Sequence, residues 1–326
     1  MKLIHLFVLF SGLAFGFASA QEEAAFNYTG TVWAAGAENG GWYDANKNTV
    51  ENDKDDNLCY AATAANLIAW WQNEYGMESE KAPKGINAIW GKYVDSCVLP
   101  EDGGYTAAAL NWWISGVYKP ENDADRSRFF TDEDAEGLPP TLKNFEGYYF
   151  DEYSLTQQQL GKFITDLWDG DETDDMTVSE LSVAFADILE GGCGIALGIR
   201  SDAPGSDLAH AITLWGAEYQ DGNLVKLWLT DSDDSAFPAR GGDMTKEGDT
   251  LSRLFAVNVV VDNEAGKIRF VHDADPDDLY VYHVLGEGVY INSVYVLDPA
   301  ALVPEPTTAT LSLLALAALA ARRRRW

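Results

Sequence analysis

The sequence predicts an α+β fold, with a helical first half and an antiparallel sheet in the second. Three observations lead there. A long run rich in Ala, Leu and Trp recurs with helical spacing over residues 58–75. Short apolar runs bounded by turn residues fill the stretch from 194 to 296. Between two of them stands Asp221-Gly222, a strong hairpin signal.

The elements follow in chain order. Asn57 is placed to cap a helix from about Leu58 to Tyr75, whose apolar stripe is Tyr60, Ala64, Leu67, Trp71 and Tyr75. A second helix is expected from about Tyr105 to Ile114. Ser154 with Gln157, and Thr177 with Glu180, have capping-box spacing before two more helices that reach about Trp168 and Glu190. Strands are expected at Gly194–Ile199, Ala209–Tyr219, Leu224–Thr230, Leu254–Val261, Lys267–Val271, Leu279–Val284 and Val289–Val296. No repeat or Gly-, Ser- or Pro-rich linker divides residues 21–300, which read as one domain.

The two ends read as addresses. Lys2, an apolar run from Leu3 to about Phe17 and the small residues Ala18-Ser19-Ala20 form a signal peptide over residues 1–20. The run is shorter than the ~20 apolar residues of a membrane span, so the mature chain is expected to start at Gln21. Residues 301–326 hold Val303-Pro304-Glu305-Pro306, an apolar stretch and Arg322 to Arg325. That order resembles the PEP-CTERM sorting signal, and implies exosortase-type sorting machinery as a partner. It also implies a Gram-negative cell surface or outer membrane, or secretion, with membrane contact only through this segment.

Composition narrows the function. The formal charge is −30; without Lys2 and the four terminal arginines, 17 basic residues stand against the 52 acidic ones of the whole chain. Such an excess excludes nucleic acid and anionic membrane as partners of the mature domain. The acidic runs Asp169 to Glu172 and Asp273 to Asp278 lack the spacing of an EF-hand loop and read as solvated loops. Three cysteines (Cys59, Cys97, Cys193) are an odd number, so at least one is free or paired between chains, and a Cys97–Cys193 bridge stays open.

The hairpin yields a geometric expectation. With a two-residue loop at Asp221-Gly222, Gln220 pairs with Asn223 and His210 falls opposite Asp233, with Asp231 diagonally across on the same face. A four-residue loop keeps that register, whereas a three-residue loop slips it by one. Two carboxylates in reach would orient the imidazole and favour its charged form. The partner for such a base is Cys59, at the start of the long helix, where backbone N–H groups and the helix dipole favour a thiolate. Asp55 and Asp56 oppose ionisation there, so a cation such as protonated His210 is needed.

These residues lie in blocks that resemble a known family. Gly41-Trp42-Tyr43-Asp44-Ala45-Asn46-Lys47, then Asp55 through Trp71 around Cys59, then Ala209 through Ala217 around His210, and Thr230-Asp231-Ser232-Asp233 are similar to the streptococcal immunoglobulin-degrading cysteine proteases of the IdeS/Mac family. The blocks occur in the family's order, between about Thr31 and Leu297. The resemblance implies a papain-like fold and a secreted or surface-associated cysteine endopeptidase acting on an extracellular protein. It makes Cys59 the nucleophile, His210 the base, Asp231 the residue that orients the imidazole, Asp233 a second acid of the site, and Lys47 an oxyanion-stabilising cation. It implies no cofactor and no metal. Residues 78–190 align poorly and the stretch from Trp33 to Gly41 is short, so immunoglobulin specificity is not carried over. Two alternatives use the same scaffold: a transglutaminase-type acyltransferase and a non-catalytic surface-binding protein. The paired tryptophans (Trp70-Trp71, Trp112-Trp113) read as core or cleft wall, and His272 and His283 as structural.

Overall fold

The computed structural model describes residues 26–47, 57–96, 104–116, 145–170, 176–233, 254–271 and 288–302. The N-terminal address lies outside them, as does the C-terminal one beyond residue 302. So do Asp55, Asp56, Cys97, His272, His283, the acidic run from Asp273 and the strand expected at Leu279–Val284.

The first long run folds as α1 (Cys59–Tyr75), which ends at Gly76 in the left-handed conformation. Its N-cap position is Leu58, one residue after the expected Asn57. The stripe expected on α1 is also too narrow. Every residue from Tyr60 to Trp71 is buried, because α2 (Ile86–Ser96) and α3 (Thr106–Ser115) cover one side and the sheet covers the other. No expectation covered α2. The paired tryptophans are core: Trp71 meets Tyr149 and Phe163, and Tyr93 stacks on Trp113.

The third expected helix is corrected. Ser154 takes a positive φ of 51° and cannot serve as an N-cap; Thr156 and Gln159 form the capping box instead. The helix, α4 (Gln157–Phe163), stops short of Trp168. From Ile164 the chain becomes β2 (Ile164–Asp169), because pairing with another strand outweighs helical propensity in Ile-Thr. The capping box of Thr177 and Glu180 opens α5 (Val178–Glu190) as expected.

The remaining strands are β1 (Gly30–Trp33), which the sequence reading missed, β3 (Gly194–Ser201), β4 (Ala209–Gln220), β5 (Asn223–Thr230), β6 (Phe255–Asp262), β7 (Lys267–Phe270) and β8 (Val289–Leu297). All pairings are antiparallel. The sheet closes: β4, β5, β6, β7, β8 and β3 pair in turn, and β3 returns to β4. β1 extends along β4 and β2 along β8. α5 packs against β1 and β3 through β7. α1 lies on the outside, against β3 and β4. The fold is a mixed helix and sheet structure around a closed antiparallel barrel. No helix among the described residues is long and apolar enough to cross a membrane.

The β4–β5 hairpin sets the site. Asp221 (φ 49°) and Gly222 (φ 79°) make a two-residue turn with both residues left-handed, and Gln220 pairs with Asn223. The register shifts by one between Tyr219 and Glu218 and shifts back between Gly216 and Leu214, so Thr213 faces Thr230 as the simple count requires. Two opposed bulges cancel. The ladder ends at that pair, and residues 231–233 form a turn rather than strand. His210 pairs with Ile199 of β3, not with Asp233.

The N-terminal segment wraps the turn: the Gly222 N–H donates to Tyr28 O at 2.8 Å, and a Cβ on Gly222 would lie 1.9 Å from Phe26 O. Gly222→Ala is therefore expected to destabilise the protein by about 1–3 kcal/mol, read as a lower urea midpoint with unchanged slope.

Candidate active site

Four stretches distant in sequence bring side chains to one place. Cys59 opens α1, His210 stands near the start of β4, Asp231 and Asp233 lie in the turn after β5, and Lys47 ends the segment that leads toward α1. That segment is fastened to the turn by the Lys47 N–H donating to Ser232 O at 2.9 Å. All five expected residues meet there.

His210 Nε2 lies 2.6 Å from Asp231 Oδ1, and both side chains are almost wholly buried. Asp231 Oδ1 also accepts from the Asp233 N–H at 3.0 Å, which fixes the carboxylate. Asp233 turns its Oδ1 to Lys47 Nζ at 2.6 Å and leaves Oδ2 3.8 Å from His210 Nδ1. Cys59 and His210 share a hydrogen bond. With Nε2 committed to Asp231, the nitrogen left for the sulfur is Nδ1. The carboxylates reach the imidazole from the turn beyond the ladder, not from paired strand positions.

Protonation follows from these neighbours. Burial alone would push the Cys59 thiol up, but the His210 charge and hydrogen bond, Lys47 and the Ala211 backbone together hold it below its ordinary value. Burial would push His210 down; the charges of Asp231 and Cys59 and their hydrogen bonds hold it well above the usual imidazole range. Lys47 loses by burial and gains more from Asp233 and Cys59, so its ammonium is kept. The arrangement favours a thiolate–imidazolium pair, with a second cation beside it. His210, Asp231 and Asp233 also have ligand atoms close enough for a metal ion. In the geometry described, hydrogen bonds and the Lys47 ion pair already use those atoms.

Cys193 differs. It is a free thiol beside Asp298, and burial with that carboxylate pushes it up to about 12.

The sequence reading passed over Asn66. It lies on α1 two turns after Cys59 and is 2% exposed. Its Oδ1 accepts from the Ala45 N–H at 2.7 Å, and its Nδ2 donates to Thr213 Oγ1 at 3.0 Å and Thr230 Oγ1 at 3.4 Å. A lone Asn within a buried Ala, Leu and Trp helix was the available signal, since a buried amide requires partners.

A family model described as Mac 1 matches residues 16–105, the stretch that carries Lys47 and Cys59. An "IgM protease" of Streptococcus suis (strain P1/7) is 25% identical over 242 residues, which cover 67% of this chain and 19% of that protein. The chain thus spans about a fifth of the length of the curated relative it matches. The chain is thus similar to the Mac 1 family model over residues 16–105 and to the Streptococcus suis protein over a longer stretch.

Residue-resolved alkylation checks the electrostatics. Iodoacetamide is expected to modify Cys59 at lower pH than Cys193, with the rate falling only as pH drops through the lowered Cys59 value, while Cys193 stays unmodified across that range. The imidazolium partner is lost only as pH rises through the raised His210 value. Mass spectrometry of peptides labelled over a pH series would show equal labelling of the two thiols if this account is wrong.

Proposed function

We propose that the chain is a cysteine endopeptidase that hydrolyses peptide bonds of an extracellular protein, with immunoglobulin the first substrate to test. The observation that carries the reading is the Cys59–His210–Asp231 contact at the start of a buried helix. The arrangement of a helix-borne sulfur against a barrel-borne imidazole is read as papain-like. In this proposal the protein is exported by its N-terminal signal, and its C-terminal segment directs it to the cell surface.

The steps follow from the geometry. The Cys59 thiolate attacks the scissile carbonyl carbon, and the carbonyl π electrons move to its oxygen. That oxyanion meets the Cys59 backbone N–H and the Lys47 ammonium, whose position Asp233 fixes. His210 then gives its proton to the departing amine as the tetrahedral intermediate collapses to a thioester. Water, deprotonated by His210, attacks the thioester and returns the sulfur as thiolate. Asp231 keeps the ring oriented and stabilises its charged form throughout. The chemistry calls on no metal.

Substitutions separate the roles. Cys59→Ala is expected to abolish hydrolysis while keeping a cooperative thermal transition. Asp231→Asn is expected to lower kcat by about 10²–10⁴-fold, and Lys47→Met by about 10²–10³-fold. The assay incubates the purified protein with immunoglobulins and a peptide library and sequences the products. Turnover by Cys59→Ala would refute the mechanism. Amide formation with an added amine in place of hydrolysis would instead favour the acyltransferase.

A further inference from the structure

The three parts of the site sit on separate pieces of chain, and one buried amide touches the supports of all three. Asn66 on α1 accepts from Ala45, two residues before Lys47. It donates to Thr213 of β4, three residues after His210, and to Thr230 of β5, the residue before Asp231. Ala45 N–H can only donate, so the amide has one orientation: oxygen toward the Lys47 segment, nitrogen toward the hairpin.

The Thr230 hydroxyl extends the tie. It donates to Tyr43 O at 3.0 Å and accepts from the Trp215 indole N–H at 2.9 Å as well as from Asn66. One donor and two acceptor positions are then filled. Trp215 is the residue bulged out of β4, so the register shift that restores the Thr213–Thr230 pair also supplies the indole that holds it. Thr213 and Thr230 are 0% and 1% exposed, so water cannot replace these bonds cheaply.

We infer that Asn66 is a positioning residue, which fixes the helix carrying Cys59 against the strands carrying His210 and Asp231 and against the segment carrying Lys47. It touches none of the reacting atoms. It acts by setting the distance between those supports. A misplacement of about 1 Å at a reacting pair lowers rate by about 10²-fold, so a tie to residues close in the chain to Lys47, His210 and Asp231 controls the reaction. The inference rests on the cysteine-peptidase reading.

Asn66→Asp keeps the acceptor for Ala45 and removes both donors. The Thr230 hydroxyl cannot answer the new carboxylate without abandoning Tyr43 O. Thr213→Val removes one acceptor at constant shape, and Thr213→Ser keeps the hydroxyl. The experiment measures the pH dependence of Cys59 alkylation, together with kcat and KM on a cleaved peptide. For Asn66→Asp and Thr213→Val, the alkylation profile is expected to move to higher pH and kcat to fall about 10²-fold with KM little changed. Thr213→Ser retains both wild-type values. If Asn66→Asp does not fold, Thr213→Val decides. Folded variants with a lower melting temperature but wild-type alkylation and kcat would make Asn66 merely structural and overturn the inference. A wild-type protein whose Cys59 alkylates like an ordinary thiol and cleaves no peptide would overturn the peptidase reading instead, and this inference with it.

Discussion

Charge must be balanced inside a barrel wall, and the rest of the site is arranged around that requirement. A lone ion buried to this degree would neutralise itself by shifting its pKa. Here the charges alternate: the Cys59 thiolate, the His210 imidazolium and the Asp231 carboxylate in one line, with Asp233 and the Lys47 ammonium beside it. The Asp231 charge helps hold His210 in its charged form, and His210 lowers the Cys59 thiol in turn. Effects of substitutions at contacting residues of this kind are not expected to add.

The balance depends on how a helix and a hairpin are set against each other. α1 is held by burial on all sides, with Trp70 donating to Ala35 O at 2.8 Å and Trp71 packed among aromatic rings. The hairpin is held by its left-handed turn and by pairing around the closed ring. Hydrophobic packing places such elements but is non-directional. Directional polar contacts at the interface are what select one setting among the near-equivalent ones. The Asn66 bonds and the Lys47 N–H to Ser232 O link supply that direction.

Much of this was legible in the sequence where local rules apply. The Asp221-Gly222 turn, the capping box of Thr177 and the strands around His210 follow from short-range chemistry. The grouping of Cys59, His210, Asp231, Asp233 and Lys47 came from a register count joined to a family resemblance. What escaped depends on partners distant in the chain. Ile164–Asp169 is strand because β8 is beside it, and β1 is strand because β4 is. Counting along the hairpin could not reveal the two bulges, since opposed shifts leave its far end unchanged. Closure of the sheet is a property of no single segment.

The two described cysteines show how little the residue type itself decides. Both are partly buried free thiols, one just before a strand and one opening a helix. Beside Asp298, the Cys193 sulfur has a carboxylate for its neighbour, so ionisation would set two negative charges together. Beside His210 and Lys47, the Cys59 sulfur has two cations for neighbours. Desolvation acts on both in the same direction, so the sign of the neighbouring charge separates the lowered thiol from the raised one. A protein that uses this chemistry must hold the imidazole charged before substrate arrives. Asp231 is already in place to do so, from a turn that pairing with β4 cannot reach but Lys47 can.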